Sequence, residues 1–99
     1  MEYVITLEAE TRDGKPADPE VVDQAGGRLG VYEPRMSIDQ EGPGLSVSLT
    51  MEARSPDTAF NHGVSLIVDT LEALNCGVSF VSATVTRGDV YAAREASAG

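Results

Sequence analysis

The sequence predicts an α+β fold: a four-stranded antiparallel sheet with two helices on one of its faces. Three observations carry that expectation. The segment Ile5-Thr6-Leu7-Glu8-Ala9 recurs as Leu49-Thr50-Met51-Glu52-Ala53, and each copy leads to a proline followed by an acidic residue, Pro19-Glu20 and Pro56-Asp57. Several stretches alternate apolar and polar residues at the period of a strand, and two others space their apolar residues at the period of a helix. The chain is thus built twice from one strand-then-helix plan.

The first strand has Tyr3, Ile5, Leu7 and Ala9 on one face, against Glu2, Thr6, Glu8 and Glu10, with Val4 breaking the alternation. After the Asp13-Gly14 turn signal, Asp18 can cap a helix that has Pro19 at its first position and Glu20 near the positive end of its dipole. Gly26 and Gly27 predict that this helix is short, frayed or pressed close to the sheet, and that it ends near Leu29 with Gly30 as the stop. Met36 and Ile38 mark a second strand, which reverses through Glu41-Gly42-Pro43-Gly44 into a third, Leu45 to Ala53. Closing that hairpin about Gly42-Pro43 sets Ile38 opposite Val47, Met36 opposite Leu49 and Arg35 opposite Thr50.

Ser55 caps the second helix, whose stripe reads Phe60, Val64, Ile67, Leu71 and Leu74. Asn75-Cys76-Gly77 provides a left-handed exit. The β-branched run Val78 to Thr86 forms the fourth strand, in which Val81, Ala83 and Val85 compete with Val78 and Phe80 for the interior. Right-handed crossovers then give the sheet order 4-1-3-2 of a ferredoxin-like βαββαβ two-layer sandwich, covering residues 1–88. Residues 89–99 form a C-terminal tail, either a short helix around Val90 to Glu95 or disordered.

Composition bounds the function. Among 99 residues, 7 Lys and Arg stand against 16 Asp and Glu, for a net charge of −9. That balance opposes nucleic acid and anionic membranes and favours a basic protein partner. The single cysteine, Cys76, excludes an internal disulfide and a cysteine-based zinc site, so the expected location is cytoplasmic. The N-terminus enters a strand without a basic leader or membrane-length apolar run. No cofactor or metal is expected.

Laid side by side in the same direction, the two copies of the repeat bring Thr6 beside Thr50 and Glu8 beside Glu52 on the uncovered face. Two carboxylates at the ~5 Å spacing of adjacent strands suit acid–base work or a hard cation, with Arg35 close enough to neutralise them. His62, Ser65 and Asp69 have the residue types of a hydrolytic triad, but a convex helix face offers them no pocket. Gly27-Arg28-Leu29-Gly30 matches the GxxG string of KH domains in letters alone, since a strand follows it where a helix should. Cys76 has no basic neighbour in sequence to activate it, and reads as an inert thiol.

The uncovered face itself is tiled with short hydroxyl side chains: Thr6, Ser37, Ser46, Ser48 and Thr50, joined in one facing of strand 4 by Ser82, Thr84 and Thr86, and interrupted by Val4 and Phe80. Such a face, with few long charged residues to solvate it, suits contact with another surface. The leading expectation is a non-enzymatic binding or regulatory module acting through this face or a sheet edge by protein–protein interaction, with Thr6, Glu8, Arg35, Ser48, Thr50, Glu52 and Phe80 as candidate contact residues. Self-association as a homodimer fits a domain of this size, which buries only roughly 65% of its unfolded surface. One alternative is a dimeric α+β barrel enzyme or small-ligand binder in which two faces close over a substrate held by Glu8, Glu52 and Arg35. The other is an acidic decoy of a nucleic-acid-binding protein, although its carboxylates are dispersed along the chain.

Overall fold

The computed structural model describes residues 1–98, with side chains described through Arg94; Gly99, the last residue of the expected tail, lies outside the described residues. Four strands and three helices follow in the order β1 (Glu2–Thr11), α1 (Pro19–Arg28), β2 (Arg35–Ile38), β3 (Gly44–Glu52), α2 (Pro56–Ala73), β4 (Val78–Arg87) and α3 (Gly88–Ala98). The sheet runs β2-β3-β1-β4, with every neighbouring pair antiparallel. This is the ferredoxin-like two-layer sandwich with a third helix added.

Local chemistry sets the helix ends. The Glu20 amide donates to Asp18 Oδ1 at 2.9 Å, and the Thr58 amide to Ser55 Oγ at 3.2 Å, so each helix begins on a side-chain cap with proline at its first turn. Asn75 leaves α2 through the left-handed region at φ 60°. Leu29 caps α1, and a single 3₁₀ turn, Gly30–Tyr32, carries the chain to β2.

The core lies between the sheet and α1 and α2. Tyr3, Ile5, Leu7 and Ala9 of β1 and Leu45, Val47, Leu49 and Met51 of β3 are buried against Ala25, Leu29, Ala59, Ile67 and Leu71. The buried line of α2 runs Ala59, Gly63, Ile67, Leu71, one position earlier over its first turns than the expected stripe through Phe60 and Val64. The small residues explain the rotation. They let the helix backbone settle onto β1, and a Cβ placed on Gly63 would sit 3.0 Å from Ile5 Cγ1. Close packing expected at Gly26 and Gly27 occurs here instead, since nothing lies within 4 Å of a Cβ built at either position.

The hairpin register differs from the sequence reading. In the hairpin, Met36 pairs with Val47, Ile38 with Leu45 and Arg35 with Ser48. The turn closes earlier because Asp39 Oδ1 accepts from the Glu41 amide at 2.9 Å while the Asp39 amide donates to the Gly44 carbonyl at 2.9 Å. The shift is by two residues, so each side chain keeps its face.

Strand 4, whose facing the sequence left open, slips in its register with β1 between Glu8 and Ala9. Ala83 and Val85 pair with Leu7 and Ile5 on the helix side, Phe80 and Val78 pair with Ala9 and Thr11, and Val81 is the extra residue of a β-bulge. Members of both competing apolar sets, Val78 and Phe80 from one and Ala83 and Val85 from the other, therefore turn to the helix side, and only the bulged Val81 departs from it.

Candidate functional site

Strand pairing assembles the face opposite α1 and α2 in rows. Ser37, Ser46, Glu8 and Ser82 form one; Arg35, Ser48, Thr6 and Thr84 the next; Thr50, Val4 and Thr86 a third. Thr6 Oγ1 and Ser48 Oγ share a hydrogen bond at 2.8 Å, and Ser82 donates its hydroxyl to Glu8 Oε2 at 3.2 Å. The hydroxyls thus bond to one another and to Glu8 across the strands.

This face is not fully open. Helix α3 leaves the end of β4 and crosses it, so that Tyr91 and Ala92 line a concavity of about 170 Å³ with Val4, Arg35, Ser48 and Thr50. Val4 is only 6% exposed as a result. The start of α3 is tied to β4 by Arg87, whose Nε and Nη2 donate to the Asp89 carboxylate at 3.1 and 2.9 Å and hold its pKa below the ordinary aspartate value.

The expected carboxylate pair does not form. Because β1 and β3 run antiparallel, Glu8 lies opposite Ser46 and Glu52 lies opposite Glu2. The two carboxylates sit about 20 Å apart along the strands. The reason is geometric: βαβ halves whose inner strands are antiparallel are related by a two-fold rotation, and a rotation sends equivalent residues in opposite directions. Glu52 instead meets the N-terminal ammonium at 3.4 Å, and Arg35, four residues upstream of Glu52's level through its Ser48 pairing, is not its neighbour. The barrel reading loses its acid–base pair and meets α3 on the face it needs clear.

The remaining candidates are scattered. Phe80 pairs with Ala9 on the helix side, away from the hydroxyl face, and is 61% exposed at the sheet margin. The His62 ring stands edge-on to Tyr32, with centroids 6.2 Å apart, while Ser65 and Asp69 line a shallow apolar concavity with Phe60, Val64 and Val68. Burial and then the negative charge of Asp13 raise the pKa of the Cys76 thiol. Among the described residues, no group of three or more His, Cys, Asp or Glu side chains is placed to hold a metal ion. No described helix is long and apolar enough to cross a membrane.

Two surfaces stand out, each marked by only one of the candidate residues, Phe80 and Glu8. One is the outer edge of β4, which ends the sheet and exposes Phe80 and Val81. The other is a concavity of about 540 Å³ at the uncovered end of the hydroxyl face, bordered by Glu8, Glu10, Ser37, Asp39, Ser46 and Val81. The charge-free run from Val78 to Thr86 was the sequence signal for the first; the second depends on how the hairpin turn and the bulge approach each other.

No protein-family model, curated protein or solved structure significantly matches this chain.

Proposed function

We propose that this chain is a non-enzymatic binding module that takes up another polypeptide through the free edge of β4, extending its sheet by one strand. The observation that carries this reading is the contrast between its two sheet edges. Edge strands expose unpaired backbone donors and acceptors, and stable monomers blunt them with short length, proline or charge. Edge strand β2 has these devices: it is 4 residues long, follows Glu33-Pro34 and begins with Arg35. Strand β4 has a different character. It is 10 residues long, carries no charged side chain from Val78 to Thr86, has only the bulge at Val81 to blunt it, and leaves Phe80 61% and Val81 52% exposed.

An incoming strand would gain main-chain hydrogen bonds for affinity, and alternate side chains would read the exposed apolar residues for specificity. The absence of a disulfide framework supports placing this activity in the cytoplasm. The test uses fluorescently labelled, extended nine-residue peptides of alternating Val and Thr. Saturable binding together with slowed hydrogen exchange of the β4 amides is expected. Binding that leaves those amides unprotected would overturn the assignment to β4.

The acidic concavity favours a second reading, a basic peptide held by Glu8, Glu10 and Asp39 at the other end of the same face. A labelled tetra-arginine peptide should then bind in low salt and lose affinity in Glu8→Gln. Equal binding by both proteins would remove this reading.

A further inference from the structure

We infer that the polypeptide taken up by the β4 edge is a second copy of this chain, giving a two-fold dimer with one continuous eight-stranded sheet. This inference rests on the β4-edge reading above and names its occupant.

Charge selects that surface for self-pairing. Two copies each carrying −9 repel over most of their surfaces, and β4 offers an uncharged strip on which they can meet. Length and symmetry then restrict the geometry. A two-fold axis makes the two β4 strands antiparallel, and pairing about a residue facing itself keeps helix-side residues beside helix-side residues. The bulge at Val81 interrupts the regular ladder, so the flat segment available is Ser82–Thr86, with Thr84 at its centre. Pairing there sets Ala83 beside the partner's Val85, and Ser82 beside the partner's Thr86.

On α2, His62 meets Tyr32 in the segment after α1, so the opposite flank faces away from α1, on the side of β4. Gly63 lies against Ile5, and Ile5 pairs with Val85, which fixes the level of α2 over the middle of β4. The flank of α2 displays Phe60, Val64 and Val68 around a concavity of about 310 Å³. A second copy paired at Thr84 brings its own α2 flank toward this one, burying apolar side chains in addition to satisfying the edge. Among the described side chains of α3, Tyr91 and Ala92 turn over the hydroxyl face beside Val4, Ser48, Thr50 and Arg35, away from the outer edge of β4. Stable homodimers commonly pair an apolar centre with a polar rim, and here Asn61, Ser65 and Asp69 border the apolar flank.

Light scattering coupled to size-exclusion chromatography, run from low to high micromolar concentration, tests the assembly. The expected result is a dimer that dissociates on dilution, with the Ser82–Thr86 amides exchanging more slowly in the dimer than in the dilute monomer. Thr84→Lys places like charges across the two-fold and should raise the dimer dissociation constant at least tenfold, with the circular dichroism spectrum unchanged. A monomer at high micromolar concentration overturns the inference, and so does a dimer whose β4 amides remain unprotected. The peptide experiment separates the two proposals: a monomer whose β4 amides are protected by the peptide keeps the edge function and discards the second copy, whereas a monomer unprotected by peptide discards both. If Thr84→Lys fails to fold, the concentration dependence of exchange in the unmodified protein decides alone.

Discussion

Gly63 of α2 touches Ile5 of β1 so closely that a Cβ on the glycine would lie 3.0 to 3.1 Å from three atoms of the isoleucine side chain. Ile5 is fully buried at the centre of the sheet, where a shift of its side chain meets close-packed neighbours. The contact explains why a glycine is kept inside an 18-residue helix, where alanine would ordinarily gain about 1 kcal/mol in propensity. Overpacking here should exceed that gain, so Gly63→Ala is expected to destabilise the fold by about 1 kcal/mol net. Gly27→Ala, in a helix position with open space around it, should instead stabilise by about 0.5–1 kcal/mol. Denaturant unfolding of both variants checks the pair, and equal effects of the same sign would refute the assignment of close approach to Gly63.

Leu49 pairs with Ile5 on β3 and is 0% exposed. Truncation to alanine removes buried methyl groups and leaves a cavity between the central strands and the helix layer. The expected loss is about 2–5 kcal/mol, a large part of the 5–15 kcal/mol that holds a domain of this kind. An unfolding free energy within about 1 kcal/mol of the parent would contradict the central place given to this side chain.

The Arg87–Asp89 contact makes the start of α3 sensitive to acid. Hydrogen bonds from Arg87 lower the Asp89 pKa from 3.8, so the folded form favours the ionised carboxylate. Its contribution is present above the unfolded-state value and disappears as pH falls through the lowered one. Amide resonances of Val90 and Tyr91 should therefore shift in a transition below pH 3.8, and Asp89→Asn should abolish that transition. A midpoint above that value would show that the carboxylate is not held by Arg87.

Cys76 should be a slow nucleophile. Its pKa is raised by burial and by Asp13, which lowers the thiolate fraction at neutral pH. Alkylation by iodoacetamide at pH 7 is expected to run more slowly in the folded protein than in the same chain unfolded in urea. A faster folded-state reaction would reveal an activating group near the sulfur.

The sequence by itself determined the four strands, the first two helices and their order, and left α3 undecided. Alternation of apolar residues through Tyr3, Ile5, Leu7 and Ala9, and through Leu45, Val47, Leu49 and Met51, assigned the strands to faces, and the caps at Asp18 and Ser55 placed the helix starts. These are local signals, set by side-chain periodicity and by hydrogen bonds between residues two or three apart. Relationships between distant segments needed the tertiary structure. The repeat carries no direction of its own, and Glu8 and Glu52 look adjacent only if its copies run parallel; the antiparallel sheet predicted from the same sequence, and found in the pairing of β1 with β3, separates them. The bulge at Val81 depended on fitting β4 to β1 as a whole, and the path of α3 over Val4 depended on contacts with distant strands that leave little pattern in an alanine-rich tail. The order 4-1-3-2 read from the sequence already put β4 at an edge of the sheet, whereas the exposure of Phe80 and Val81 there was decided by the bulge, which arises only when β4 is fitted to β1.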